Sequence, residues 1–189
     1  MYSTDNEIIE QIIAGKRSMF AHLIDRYKEQ AMTLAMRMLK NREDAEEASQ
    51  DAFVRAYNAL DKFERRSKFS TWLYRIVFNV CATRLRKKNI DVTLLRDDEN
   101  PENPEELYPS VVPLVEYEQK ELITLIKMAI EELPEKYAMI LSLFYFQELS
   151  YDEICDVTQL PLGTVKTQLF RARSLLLKHL SLKYELESL

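Results

Sequence analysis

The spacing of apolar residues along this chain predicts helices throughout. Ile8, Ile9, Ile12 and Ile13 recur at three-and-four intervals over 5–14. Phe20, Leu23, Ile24, Tyr27, Ala31, Leu34, Ala35 and Met38 do the same over 18–39. Ala45, Ala48, Ala52, Phe53, Ala56, Tyr57 and Leu60 continue the pattern over 43–60. Phe69, Trp72, Leu73, Ile76, Val77, Val80 and Leu85 carry it over 69–88. A second block of helical period covers 116–132, 135–146, 150–158 and 162–181. No segment reads as a strand, since the Val111–Val115 stretch is interrupted by Pro113. The expected fold is all-α, with two small helical domains.

Between the blocks the composition changes. Pro101, Pro104, Pro109 and Pro113 collect there, and Asn100-Pro101-Glu102-Asn103-Pro104-Glu105-Glu106 is a solvated, helix-free run by composition. This predicts a first domain over 1–88, an acidic linker over 89–117 and a second domain over 118–189. Pro134 and Pro161 stand just before new helical patterns, where a proline fits the first turn.

Composition narrows the classes further. Only Gly15 and Gly163 are glycine among 189 residues, where average usage would give roughly thirteen. A chain so poor in positive-φ corners is not expected to be a sandwich, a barrel or a glycine-loop nucleotide binder. The net charge of −5 at first argues against a nucleic-acid partner. Its distribution reverses that inference. Residues 62–88 carry nine basic and one acidic side chain, 89–121 carry two basic and ten acidic, and 159–183 carry five basic and none acidic. Two basic faces are masked in the sum by an acidic bridge.

Other chemistry is sparse. Cys81 and Cys155 lie far apart inside apolar helical patterns and read as buried thiols of a reducing cytoplasm. His22 and His179 cannot supply a cluster of zinc ligands. No apolar run reaches 18 residues, so no membrane insertion is expected. The start Met1-Tyr2-Ser3-Thr4-Asp5 has no basic-then-apolar signal pattern. No carboxylate cluster has metal-ligand spacing, and no Ser/His/Asp or Cys/His arrangement occurs, which speaks against a nuclease or other enzyme. No cofactor is expected.

Three stretches carry directed chemistry. Ser150-Tyr151-Asp152-Glu153 is a capping box, flanked by Leu149 and Ile154 at the staple positions. That helix stops near Thr158, a turn Gln159-Leu160-Pro161 follows, and a second helix opens at Leu162. This is the helix-turn-helix pattern, whose second helix enters the major groove. Val165, Leu169 and Ala172 are expected inward. Thr164, Lys166, Thr167, Gln168, Arg171 and Arg173 are expected outward, where they could read base edges and hold phosphates. A helical hairpin with a solvated basic face fits the same pattern.

The second stretch, Phe63 to Ile76, interleaves cations with aromatics, as single-stranded nucleic acid requires for stacking and backbone contact. Phe69 and Trp72 fit the core, whereas Tyr74 and Phe78 are expected on the opposite face beside Arg75, Asn79 and Arg86. The loop Arg65–Lys68 and the cluster Arg84, Arg86, Lys87 and Lys88 are assigned to function. The third stretch, Asn41 to Arg55, is amphipathic with Asp44, Glu47 and Asp51 on one stripe. It is a partner-docking face or a solvated one.

In this order the three stretches resemble the ECF (extracytoplasmic-function) sigma factors, the small class of bacterial RNA polymerase sigma subunits. The resemblance covers about 15–88 and 118–182. Asp44 to Tyr57 resembles the family's core-polymerase-binding helix, Phe69-Ser70-Thr71-Trp72-Leu73-Tyr74-Arg75-Ile76 its promoter-melting motif, and Gly163-Thr164-Val165-Lys166-Thr167 the start of its −35 recognition helix. The resemblance implies a non-catalytic subunit with core RNA polymerase, promoter DNA and an anti-sigma factor as partners. Asp44, Glu46, Glu47, Gln50, Asp51 and Arg55 would dock on the polymerase. Arg65, Arg66, Lys68, Ser70, Thr71, Trp72, Tyr74, Arg75, Asn79, Arg84, Arg86 and Lys87 would recognise and open the −10 element, with the Phe63–Phe69 loop capturing a flipped base. Thr164, Lys166, Thr167, Gln168, Arg171 and Arg173 would read the −35 duplex. The acidic linker would follow the polymerase's RNA-exit path.

Two positions depart from the family pattern. Thr83 stands where many members have Asp, and Gln168 stands where many have Arg. The second departure implies a shifted −35 preference, since Gln suits adenine where Arg suits guanine. A polymerase-independent helix-turn-helix regulator is the rival reading; it would bind duplex operator tightly by itself, as a sigma factor should not.

Overall fold

The computed structural model describes residues 4–87 and 119–187. The expected linker over 89–117, with Lys88 beside it, lies outside the described residues. Among these residues the chain forms eight α-helices and two short 3-10 turns, with no strand, as the periodicity predicts. The chain divides into two compact units.

The first unit holds α1 (Asp5–Ile13), α2 (Phe20–Leu39), α3 (Arg42–Asn58) and α4 (Phe69–Lys87). Thr4 caps α1 in a full capping box with Glu7. Gly15, at φ 101°, turns the chain between α1 and α2, a conformation that costs glycine little. Asn41 caps α3, its side-chain oxygen accepting from the Asp44 amide at 2.9 Å. Helices α2, α3 and α4 pack on one another in pairs, and α1 packs on α2. Small residues let α3 approach closely: Ala45, Ala48, Ala52 and Ala56 are all fully buried.

Helix α4 departs from the single-stripe expectation. Tyr74 and Phe78 are core residues, at 3% and 5% exposure, rather than members of an outer face. Because α4 touches both α2 and α3, it buries a wider arc than a surface helix does. Trp72, expected in the core, is only half-buried.

The second unit holds α5 (Gln119–Glu131), α6 (Glu135–Tyr145), α7 (Tyr151–Thr158) and α8 (Leu162–Glu187). Every residue from Tyr137 to Leu143 is buried, so α6 is the central helix of this unit, flanked by α5 and α8. The expected capping box opens α7: Ser150 donates its amide to Glu153 Oε2 at 2.9 Å, and Ser150 Oγ accepts from the Glu153 amide at 3.2 Å. Gln159 makes the turn after α7 at φ 60°. Leu149, Ile154, Val157, Val165, Leu169 and Ala172 are buried, the core expected for a helix-turn-helix.

Candidate nucleic-acid and partner interfaces

Helix α3 presents the acidic face. Glu46, Glu47 and Gln50 are exposed, Asp44 and Asp51 half-exposed. Several of these charges already have partners in the free chain. Arg42 donates to Glu46 at 2.8 Å, and Arg55 holds Asp51 through two nitrogens at 3.1 and 3.0 Å. Arg84 reaches across from α4 to Glu47 at 2.9 Å. Beside this face lies an apolar groove of about 550 Å³, lined by Phe20, Ala21, Ile24, Phe53, Val54 and Tyr57, with Gln50 also on its wall. Sequence reasoning missed Val54, which is 57% exposed. Its signal was legible: a β-branched apolar residue off the buried stripe, four residues from Gln50 and three from Asp51.

The basic surface of the same unit is built around a ring cluster. Phe63 lies 5.0 Å from Trp72 and 6.0 Å from Phe69, and Phe69 lies 5.8 Å from Trp72. Tyr27 of α2 backs the cluster, 5.6 Å from Phe69 and 6.5 Å from Tyr74. The Tyr27 hydroxyl donates to Asp5. Burial first, then that bond, pushes the phenol well above the ordinary tyrosine range. Burial does the same for Tyr74.

The Phe63 and Phe69 rings are buried. Arg66, Lys68, Arg75, Asn79, Arg86 and Lys87 are exposed and Ser70 is half-exposed; with half-buried Trp72 they form the accessible set, spread from the loop along the length of α4. Thr71, at 1% exposure, and Tyr74 do not belong to it. Both are buried and face no ligand. Cys81 is buried, and burial pushes its thiol up to about 12, the inert behaviour expected of it. Cys155 is in no disulfide and is half-buried rather than buried.

On α8, Lys166 is exposed and Thr164, Thr167 and Arg171 are half-exposed. Gln168 is not an outward residue: it is completely buried. It stands three residues after Val165 and four before Ala172, so it shares their inward stripe. The inference of an altered base preference from Gln168 therefore fails on geometry. Arg173 also turns back into the unit. Its guanidinium lies 4.9 Å from the Phe144 ring and 5.6 Å from the Tyr145 ring. Its Nε donates to the Tyr145 hydroxyl at 3.0 Å, and it bonds Tyr151 of α7 as well. Arg173 thus ties α6, α7 and α8 together.

Residues 23–90 match the Sigma-70 region 2 family, and residues 123–176 match Sigma-70, region 4. The chain is 39% identical to the ECF RNA polymerase sigma factor SigW of Bacillus subtilis, over 91% of this chain and 94% of that one. The chain belongs to the ECF sigma factor family. It is also 33% identical to the RNA polymerase sigma-H factor of Pseudomonas aeruginosa, over 89% of this chain and 90% of that one. Against the ECF sigma-E factor of Escherichia coli K12 the identity is 34%, over 90% and 91%. Two solved structures share the fold at 21% identity. CnrH, in complex with the cytosolic domain of CnrY, aligns with a TM-score of 0.62 over 94% of this chain and 97% of that one. The sigma factor RpoE of Bartonella quintana, in complex with the anti-sigma factor NepR, aligns at 0.60 over 86% and 96%.

As an ECF sigma factor the protein directs promoter-specific transcription initiation, with core RNA polymerase and promoter DNA as its partners. Sigma factors are initiation factors rather than catalysts. Among the described residues no helix is long and apolar enough to cross a membrane.

Proposed function

We propose that the two units divide promoter recognition between single-stranded and duplex DNA. The exposed face of α3, with Asp44, Glu46, Glu47, Gln50, Asp51 and Arg55, docks on core polymerase, and the adjoining groove receives apolar side chains of that partner. The loop before α4 and the exposed flank of α4 hold the opened −10 element through Arg66, Lys68, Ser70, Trp72, Arg75, Asn79, Arg86 and Lys87. Trp72 accepts an unstacked base while cations follow the backbone. Helix α8 reads the −35 element in the major groove through Thr164, Lys166, Thr167 and Arg171.

The observation that carries this reading is half-buried Trp72, backed by the buried Phe63 and Phe69 rings at 5.0 and 5.8 Å, with exposed Arg66, Lys68 and Arg75 within six residues of it. A melted strand offers an unstacked base to an accessible indole, whereas a duplex does not. The boundaries 1–88, 89–117 and 118–189 belong to the same proposal. So do a cytoplasmic location, the lack of any catalytic activity and an anti-sigma partner of the kind that CnrY and NepR are to their own sigma factors. Reconstitution with core RNA polymerase and run-off transcription from genomic fragments tests it. Start-site-specific transcripts that appear only with the chain present are expected. Tight duplex binding by the chain alone, without such transcripts, would favour the rival regulator.

A further inference from the structure

The loop between the Leu60–Lys62 turn and α4 contains a left-handed residue that is not glycine. Arg65 has φ 58°, a conformation that a side chain bearing Cβ disfavours. Its Nη1 donates to Glu10 Oε1 of α1 at 2.7 Å, across 55 positions of sequence. The neighbouring pair, Arg66 with Glu64 at 2.8 Å, is internal to the loop and cannot fix it to anything. The Glu10 pair joins the loop to a helix that is itself held fast. Helix α1 buries Ile8, Ile9 and Ile12, and its Asp5 accepts hydrogen bonds from Arg26 and Tyr27 of α2. Tyr27 in turn faces Phe69. Helix α1 therefore meets the ring cluster at both ends: through Glu10 at the loop, and through Asp5 and Tyr27 at the start of α4.

We propose that Glu10 of α1 is a positioning residue for −10 recognition, its pair with Arg65 setting the loop that carries Phe63 and faces Trp72. This rests on the reading that the loop holds single-stranded promoter DNA. It reassigns Arg65, a candidate phosphate contact, to a role inside the protein. Exposure supports the reassignment: the Arg65 side chain is 38% exposed against 85% for Arg66, so Arg66 is the arginine that faces a phosphate. An exposed ion pair contributes little to global stability. Its effect lies in where the loop sits before DNA arrives, when an ordered site binds with less entropy to lose.

Trp72 is the single tryptophan of the chain and reports on the loop directly. The test compares wild type, Glu10→Gln, Arg65→Gln and the double variant, as full chains, by acrylamide quenching of Trp72 without DNA or polymerase. Each variant is then used with core polymerase in run-off transcription from genomic fragments. The proposal expects quenching to rise by a similar amount in all three variants, with unchanged melting temperature. It also expects transcript yield to fall roughly two- to fivefold in each single variant, the range an exposed pair can supply, and no further in the double.

Losses that add in the double variant, or a loss confined to Arg65→Gln, would return Arg65 to direct DNA contact and overturn the proposal. Unchanged quenching in all three variants would overturn it too. Should the wild-type chain give no start-site-specific transcripts, the promoter reading fails, and the quenching arm still decides whether Glu10 sets the loop.

Discussion

The two units use arginine in opposite ways. In the first, Arg65 and Arg84 are held by carboxylates of other helices, Glu10 at 2.7 Å and Glu47 at 2.9 Å. In the second, Arg173 is held by the faces of Phe144 and Tyr145 and by tyrosine hydroxyls. Exposed ion pairs are weak and screened by salt. A guanidinium stacked on rings and bonded to hydroxyls is held by packing as well as charge. The comparison separates arginines that set a loop or a helix face through a weak ion pair from one that keeps a unit folded, a distinction that residue type alone does not reveal.

The largest effect that tests this division is on docking. Reversing Asp44, Glu47 and Asp51 to Lys should lower core-polymerase binding by about a hundredfold or more, since like-charge juxtaposition costs several kcal/mol. A pull-down with core enzyme measures it; binding within a few-fold of wild type would remove α3 from the interface.

Next comes α8. Arg171→Ala should weaken −35 duplex binding by the holoenzyme by about 1–3 kcal/mol with no change in melting. Gln168→Ala should do the reverse, lowering stability by about 1–3 kcal/mol through the cavity its buried side chain leaves while base preference at −35 stays as it was. A change of preference in Gln168→Ala would restore it as a reader.

Arg173 provides the direct contrast with Arg84. Arg173→Ala should destabilise the second unit by about 1–2 kcal/mol, with the loss little altered by salt. Arg84→Ala should cost less than about 1 kcal/mol and vanish at high salt. Denaturant melts at low and high ionic strength distinguish the two; equal salt dependence would erase the contrast.

Alkali should act on the first unit through groups whose ionised forms burial disfavours. Tyr27, Tyr74 and Cys81 all have raised values, Cys81 to about 12. Folding stability is then fully present below the unfolded values, near 9–10, and is lost above them because the unfolded chain ionises first. A fall on the order of 1 kcal/mol by pH 10 is expected, and Tyr27→Phe should flatten part of it at higher pH. A denaturation midpoint constant from pH 8 to 11 would contradict this.

The smallest effect lies in the helix-turn-helix turn. Gln159 is left-handed at φ 60°, so Gln159→Gly should gain about 1 kcal/mol, visible as a modest rise in melting temperature. A loss would mean that its bond to the Asp156 carbonyl at 2.6 Å outweighs the backbone cost.

The local patterns were legible in the sequence; what was not depends on how the helices pack. The Ser150–Glu153 box, the turn before Leu162 and the acidic stripe of α3 are local patterns, and each is realised in the fold. At Gln168 and Tyr74 polarity points outward while the helical period points inward, and the period prevails. Gln168 sits on the Val165–Ala172 stripe, and Tyr74, Phe78 and Cys81 form a second apolar stripe on α4 at i, i+4 and i+7. A helix packed on two neighbours buries both stripes, which no single-stripe reading anticipates. The Glu10–Arg65 and Glu47–Arg84 pairs were not legible at all, because they join residues 55 and 37 positions apart and depend on tertiary packing.

The central claim is that one unit holds a melted strand while the other reads duplex. Permanganate and nuclease footprinting of the reconstituted holoenzyme, on a promoter recovered from the run-off assay, tests it most directly. The account expects reactive, unpaired thymines confined to the −10 region, a separate protected duplex block at −35, and neither signal from the chain without core polymerase. Duplex protection by the chain alone, with no reactive thymines in the holoenzyme, would contradict it.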